Sequence, residues 1–570
     1  MTNFIKTQNT FSIGEVSPEF FSCGNLNGLS KLENMDMTPG GGLTRRQGLK
    51  LIDAIGEYGR LIPFSVDENN NYLLVLTDLR LRIYKQDIIV ADILSPWSAT
   101  DIPKIQYAQR SGTMMFVHPQ YRPQILEKLG NSFSLSQFGF STDASGFMNI
   151  PRTRFDDSKD IKITVSSSSQ GNTYATFTTN TDFWTPDSIA TYIFLMGKQW
   201  IITSYISSTQ VTAFLGETFV PPAEPVTDWT ESVFSAHRGW PISISFYQDR
   251  LIFGGSPSLP GTVWMSHVGK HDDFSAGTGL DDDAISLTLL SQERQQICTI
   301  VSSDNLQILT SVGEWAISSK PLTPSNIDVK QHTSVGSVSV RNLPPQQIEG
   351  KTVFVSSNEH DIRELDLDDL TQNYNATDLC LYSKHILGGI MDIAYNANTH
   401  KLFVVLNDGT ISVLNYNSAL NIAGWGKYTT SGNFLSVAVV DGNTYVIVQR
   451  ESVYNLEKFS SDELMDCETH AFAYNAASLP MNASGHNIQN MHIHKISARI
   501  MNTKSISINA QRITLPNNIY SPESDGFTGD VSINQLGSCC DYMTPMWHIH
   551  GTESLPITVL SVTVYGRYKI

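Results

Sequence analysis

Two short motifs in this chain have the residue types and spacing of a metal site. His492-Ile-His494 and His548-Ile-His550 each carry imidazoles at i and i+2, positions that share one face of a strand. Two such strands side by side would offer four nitrogen ligands, the number that zinc takes. Nothing in the sequence brings the two pairs together, and no neighbouring Cys or carboxylate completes either set. Polar strand faces are the plainer reading, and no metal is expected. Asp281-Asp282-Asp283 is a candidate for calcium. It lacks the alternating oxygens and central glycine of a calcium loop, so the expectation is a solvated turn before a strand at 285–290.

Other catalytic spacings are missing. His118, His267 and His385 stand alone, and no GxSxG, P-loop or HExxH occurs. The chain is not expected to be an enzyme or to hold a cofactor. Its most pointed basic feature is Arg45-Arg46, which follows Pro39-Gly-Gly-Gly42. Two readings stay open for it. One is a solvated turn. The other is a contact with a carboxylate or phosphate, placed on a partner subunit because arginine suits interfaces.

The elements that must position these residues follow from composition and pattern. With 570 residues the chain is long for one domain and suggests three or four. Charged residues are 16% and hydrophobic residues 41%, the balance of a chain that folds around a sizeable core. The 38 Lys and Arg face 55 Asp and Glu, a net charge of −17. That excludes a general nucleic-acid binder, which needs cations to displace counterions from phosphates, and it disfavours anionic membranes. Met1–Thr10 carries no apolar core of signal-peptide length, so no signal peptide is expected, and no apolar run reaches the ~18 residues of a membrane span. Six cysteines without a CxxC pair predict free thiols in a reducing compartment.

Strand signals dominate: short runs of Val, Ile, Tyr, Phe and Thr between Gly, Asn, Asp and Pro. Short helices are expected only at 30–37 and 293–297. A repeated unit of turn, apolar strand, turn and strand begins its core at Tyr72, Met115, Leu251, Leu306, Val353, Leu402 and Tyr445. The intervals are 43, 136, 55, 47, 49 and 43 residues. All but one lie near the ~40–50 residues of a propeller blade. Each hairpin has an apolar face it cannot bury alone, and stacking blades covers it. The fold class is therefore all-β, a β-propeller of about seven blade-like units. The 136-residue interval leaves room for an inserted small β domain, and the rhythm stops after Glu457. The expected division is an N-terminal arm at 1–55, first blades at 56–150, the insert at 151–238, remaining blades at 239–462 and a C-terminal β domain at 463–570.

The opening stretch carries a resemblance. Phe11, Gly14, Glu15, Ser17 and Pro18 are followed by Leu32 and Asn34, then by Gly40 or Gly41, Arg45, Arg46 and Gly48. This order resembles the start of the tail nozzle proteins of short-tailed bacteriophages, also called tail tubular protein B. Later blocks are similar too: Ser95-Pro-Trp-Ser98, Gln106-Tyr-Ala-Gln109, Gly239-Trp-Pro241, Trp264-Met-Ser266, Thr310-Ser-Val-Gly-Glu-Trp315 and Asp408-Gly-Thr410. The chain departs from the family where Gly-Arg-x-Asp is usual; it reads Cys23-Gly-Asn-Leu26. Residues 463–545 match poorly.

The resemblance implies a virion structural protein of the phage tail, assembled in the host cytoplasm. It would be a nozzle subunit in a ring, typically a hexamer, at the distal end of a short tail. Its partners would be a portal-adaptor protein of the tail tubular A type, tail fibres or spikes, and genomic DNA passing through the lumen during ejection. No catalytic or cofactor residue is implied. An acidic lumen would let DNA slide past. The alternative is a glycan-binding or glycan-degrading propeller of tailspike or sialidase type, which needs converging carboxylates, arginines and aromatics. A WD-repeat scaffold ranks below both, because its Gly-His and Trp-Asp signatures are missing.

Overall fold

The computed structural model describes residues 2–21, 26–168, 170–275, 277, 279–368, 370–481, 490–516, 525–540 and 544–569. Within them the chain is all-β, with helix confined to three-residue 3₁₀ turns. No helix among the described residues is long and apolar enough to cross a membrane.

Six four-stranded antiparallel sheets, and the first four strands of a ten-stranded sheet, have the meander order of propeller blades. We number them along the chain: blade 1 at residues 60–94, blade 2 at 106–137, blade 3 at 243–288, blade 4 at 297–333, blade 5 at 346–378, blade 6 at 390–428 and blade 7 at 433–460. All seven core starts read from the sequence fall in the second strand of a blade, from Tyr72 in Asn70–Thr77 to Tyr445 in Asn443–Arg450. These second strands are nearly continuous apolar runs because both of their faces are covered. In blade 6 the Asn407-Asp-Gly409 turn joins the second and third strands, with Gly409 at φ +80°, the conformation a tight hairpin demands.

The chain divides into two compact units, Met1–Asp92 with Pro345–Ile570, and Ile93–Pro344. In the first unit the opening strands of blades 5, 6, 7 and 1 pack in succession; in the second those of blades 2, 3 and 4 do. Four of these junctions have cores of their own. Val405, Val413, Val446 and Val448 fill the one between blades 6 and 7. Ile252, Val263, Ile300 and Ile308 fill the one between blades 3 and 4. Burying each such side chain stabilises the junction by about 1.5–3 kcal/mol.

Blade 7 is completed from far away. Three of its strands are consecutive, and the fourth is Gly48–Ala54, paired antiparallel with Val453–Ser460. Leu49 is fully buried in the core between blades 6 and 7. This corrects the expected N-terminal arm at 1–55. Its strand Gly48–Ala54 is blade, and its other strands are divided between two further sheets. Thr2–Gln8, Met35–Met37 and Leu43–Arg45 join Asn490–Thr503, Phe527–Cys540 and Thr558–Lys569 in a six-stranded sheet. Gly14–Glu15 and Gly28–Glu33 extend blade 6 from its outer strand, Ile422–Tyr428, toward Tyr474–Ser478 and His548–Gly551. One core, including Phe11, Leu29, Leu32, Trp547, Val559 and Val564, joins N-terminal and C-terminal residues.

The helix expected at 30–37 is instead two strands, Gly28–Glu33 and Met35–Met37. Pairing with Tyr474–Ser478 overrides local propensity, and Asn34 at φ +53° separates the strands. The second expected helix, at 293–297, is a connection leading into the strand Ile297–Ser302. The insert is a single seven-stranded sheet, from Arg152–Thr153 to Trp229–Ser232 in sequence. It folds about its own core of Phe177, Trp184, Trp200 and Trp229.

Candidate functional site

The residues that carry the opening motif gather at one seam in the first unit, where blades 6 and 7 meet the C-terminal strands. Arg46 is its centre. Its Nη1 and Nη2 donate to the two carboxylate oxygens of Asp466 at 2.9 and 2.7 Å. Nε donates to Asn34 Oδ1 at 2.8 Å, and the remaining donors reach the carbonyls of Gln47 and Thr429. The guanidinium carbon lies 3.6 Å from the centroid of the Phe472 ring. Arg46 is 1% exposed and Asp466 0%, so the pair is cut off from water and its bidentate geometry offsets the desolvation.

Arg45 is also buried, with its guanidinium 4.2 Å from the Phe472 centroid. Its three nitrogens have no hydrogen-bond partner among the described residues. Burial, and then the charge of Arg46, push its pKa down to about 10. The carboxylate contact of the second reading is present at Arg46, but the solvated turn and the placement on a partner are corrected. It is neither a solvated turn nor a pair projecting toward another subunit, because the carboxylate Arg46 needed comes from Asp466 of its own chain. Asp466 lies 420 positions away, and no spacing rule joins the two.

The other motif residues serve the same seam. Gly14, at φ +72°, runs parallel to Trp425 so closely that a Cβ would sit 2.3 Å from the Trp425 carbonyl oxygen. Glu15 accepts the Leu32 amide at 2.6 Å and faces His385 Nε2 at 3.1 Å; His385, isolated in sequence, finds its partner here. Asn34 donates to Thr429 Oγ1 and the Ala473 carbonyl and accepts the Thr429 amide at 2.9 Å. The Gly48 Cα leaves no room for a Cβ against the Met465 carbonyl, 2.3 Å away. The Cys23-Gly-Asn25 part of the departure from the family pattern lies outside the described residues.

The two histidine pairs are on different sheets. His492 and His494 belong to Asn490–Thr503 in the six-stranded sheet; His548 and His550 belong to His548–Gly551 in the sheet that extends blade 6. The His548 and His550 rings stack with centroids 4.9 Å apart, and His548 Nε2 contacts Asn475 Oδ1. Burial and the neighbouring His550 lower the His548 pKa. Among the described residues no three His, Cys, Asp or Glu side chains form a metal-sized group.

In the second unit the Asp281–Asp283 turn wraps a cation already present. The fully buried Arg250 guanidinium donates to the carbonyls of Asp281, Asp283 and Ser266 at 2.9, 2.6 and 2.7 Å. Asp281 and Asp282 are exposed, as a solvated turn requires. The Asp283 carboxylate accepts the amides of Gly279 and Leu280. Asp283 also lines a cavity of about 600 Å³ with Asp143, Arg152, Phe194 and Trp264. Asp143 is engaged by the amides of Ser145 and Phe147. Trp264 packs edge-on against Phe234, and Arg152 lies over the Phe194 ring.

No protein-family model matches this chain, and neither does any curated protein. Solved structures similar to it are BamB from Moraxella catarrhalis (12% identity, TM-score 0.35, 72% of this chain and 100% of that one) and the Cps50 (Swd1) β-propeller domain of Myceliophteria thermophila (6%, 0.37, 72% and 100%). The WD40 β-propeller domain of Doa1 is another, at 11% identity and TM-score 0.32 over 73% of this chain and 98% of that one. The chain's own blade sheets establish its fold class: an all-β protein built of propeller blades, with an inserted and a C-terminal β region.

Proposed function

We propose that this chain is the nozzle subunit of a short phage tail. In this reading it forms a ring, a hexamer as is typical of the family it resembles, conducts genomic DNA during ejection, and offers a platform to fibres or spikes beneath a portal-adaptor protein. One observation carries the reading. Residues of the opening motif through which the sequence resembles nozzle proteins lock blades 6 and 7 to the C-terminal strands. Gly14, Glu15, Asn34, Arg46 and Gly48 each meet a steric or hydrogen-bonding demand of that seam. A resemblance at such positions reports a shared architecture more than shared surface chemistry. The seam also suits the role: a buried bidentate ion pair and a common core give a stiff connection between a propeller and the strands beyond it.

The test is assembly. Purified protein mixed with its portal-adaptor partner and imaged by electron microscopy should give closed rings of fixed symmetry. Protein that stays monomeric with its adaptor present overturns the proposal. Release of reducing sugar from host polysaccharide would favour the glycan-degrading alternative.

A further inference from the structure

A second cavity of about 500 Å³ lies wholly in the second unit, at one end of blades 2, 3 and 4. The residues around it come just before the opening strands of these blades and just after their second strands, which antiparallel pairing places at the same end. Its wall contains Lys104, Arg294 and Arg341 and no Asp or Glu. That composition runs against the chain, in which acids outnumber bases 55 to 38. Three separate connections deliver the cations: the one leading into blade 2, the one leading into blade 4, and the one following blade 4.

Bringing three like charges around one cavity is unfavourable unless an anion joins them. No carboxylate does so for Lys104 or Arg294: neither forms an ion pair with a described residue. Asp101, three residues before Lys104, is held by Ser98 and Tyr121 and is not in the wall. The Cys298 thiol in the wall is pushed up to about 12 by burial, so it adds no negative charge. The frame is rigid. Asn342 donates to the Ile105 carbonyl at 2.8 Å and Gln106 to the Cys298 carbonyl, tying the three connections together. Guanidinium and ammonium groups beside amide and hydroxyl donors, such as those of Gln296 and Ser339, are the set that recognises phosphate oxygens. The volume suits a small ligand and exceeds what one phosphate fills. We infer that this cavity is a binding site for a small polyphosphate anion, bridging blades 2, 3 and 4.

The test is calorimetric titration of the full chain with sodium pyrophosphate at constant ionic strength. Saturable binding is expected, with Lys104→Ala and Arg294→Ala each weakening it roughly tenfold and the double variant abolishing it. Lys159→Ala, in the insert, should bind as the parent does. Lys104 and Arg294 are exposed, so their truncation should leave near-ultraviolet dichroism unchanged. Melting temperature gives a second readout: pyrophosphate should raise it for the parent and not for Arg294→Glu. Absence of binding at millimolar pyrophosphate, equal affinity in the Lys104 and Arg294 variants, or equal competition by acetate would each overturn the inference.

Discussion

Arg46 and Asp466 form a bidentate ion pair, 2.7 and 2.9 Å, with neither residue more than 1% exposed. It holds the segment that opens the chain to the segment that follows the last blade. Removing one partner leaves a buried charge without its counter-charge, at a cost of about 3–5 kcal/mol. Arg46→Ala and Asp466→Ala should therefore each lower the urea midpoint by that equivalent. Arg46→Met with Asp466→Leu should cost less than either single change. A double variant as unstable as the sum of the singles would contradict this account.

Gly14 and Gly56 separate steric from conformational cost. Both have φ near +75°, at +72° and +80°. A Cβ on Gly14 would strike the Trp425 backbone, while one on Gly56 would meet nothing within 4 Å. Gly56→Ala should cost about 1–2 kcal/mol, the left-handed penalty alone. Gly14→Ala should cost more, at least about 3 kcal/mol. Comparing the two denaturation midpoints checks the difference.

The closing strand of blade 7 makes a prediction about local opening. Leu49→Ala removes a fully buried side chain from the core between blades 6 and 7 and should destabilise by about 2–5 kcal/mol. The effect should be local first. Amide exchange along Val453–Ser460, which pairs with Gly48–Ala54, should accelerate more than exchange along Arg250–Gly254 in the other unit. Uniform acceleration would mean that the strand does not gate opening.

His118 predicts an acid-sensitive step. Its ring is buried, and burial pushes its pKa down to about 4; the Gln120 amide donates to Nδ1 at 3.2 Å. The unfolded histidine titrates near ~6.5. Between these values the unfolded chain binds more protons, so stability rises with pH. The contribution is present in full above about 6.5 and is lost as pH falls toward 4, by at most about 3 kcal/mol. The difference in unfolding free energy between the parent and His118→Gln, followed from pH 7.5 to 4.5, should shrink accordingly. A pH-independent difference would rule this out.

The blades were legible because their signal is local. A strand buried on both faces reads as a continuous apolar run, and its hairpin turn lies within a few residues. The runs at Tyr72 and Leu402 and the turn at Gly409 illustrate this. The seam was not legible for the opposite reason. Arg45-Arg46 looks like an exposed basic pair until Asp466 and Phe472 arrive from the far end of the chain. The run from Ser30 to Met37 looks helical until a strand at 474–478 pairs with it. The histidine pairs kept the strand placement that their spacing suggested, but sheet membership separated them.

By itself, then, the sequence determined an all-β chain with seven blade-sized repeats, an insert near 151–238 and a change of character after Glu457. It could do so because apolar alternation and turn chemistry act over a few residues. Only the tertiary structure decided that the first fifty-odd residues are shared between blade 7 and two other sheets, that Arg46 is an internal strut, and that Lys104, Arg294 and Arg341 surround one cavity. Those outcomes depend on pairing between residues hundreds of positions apart, where geometry rather than local propensity selects the partner.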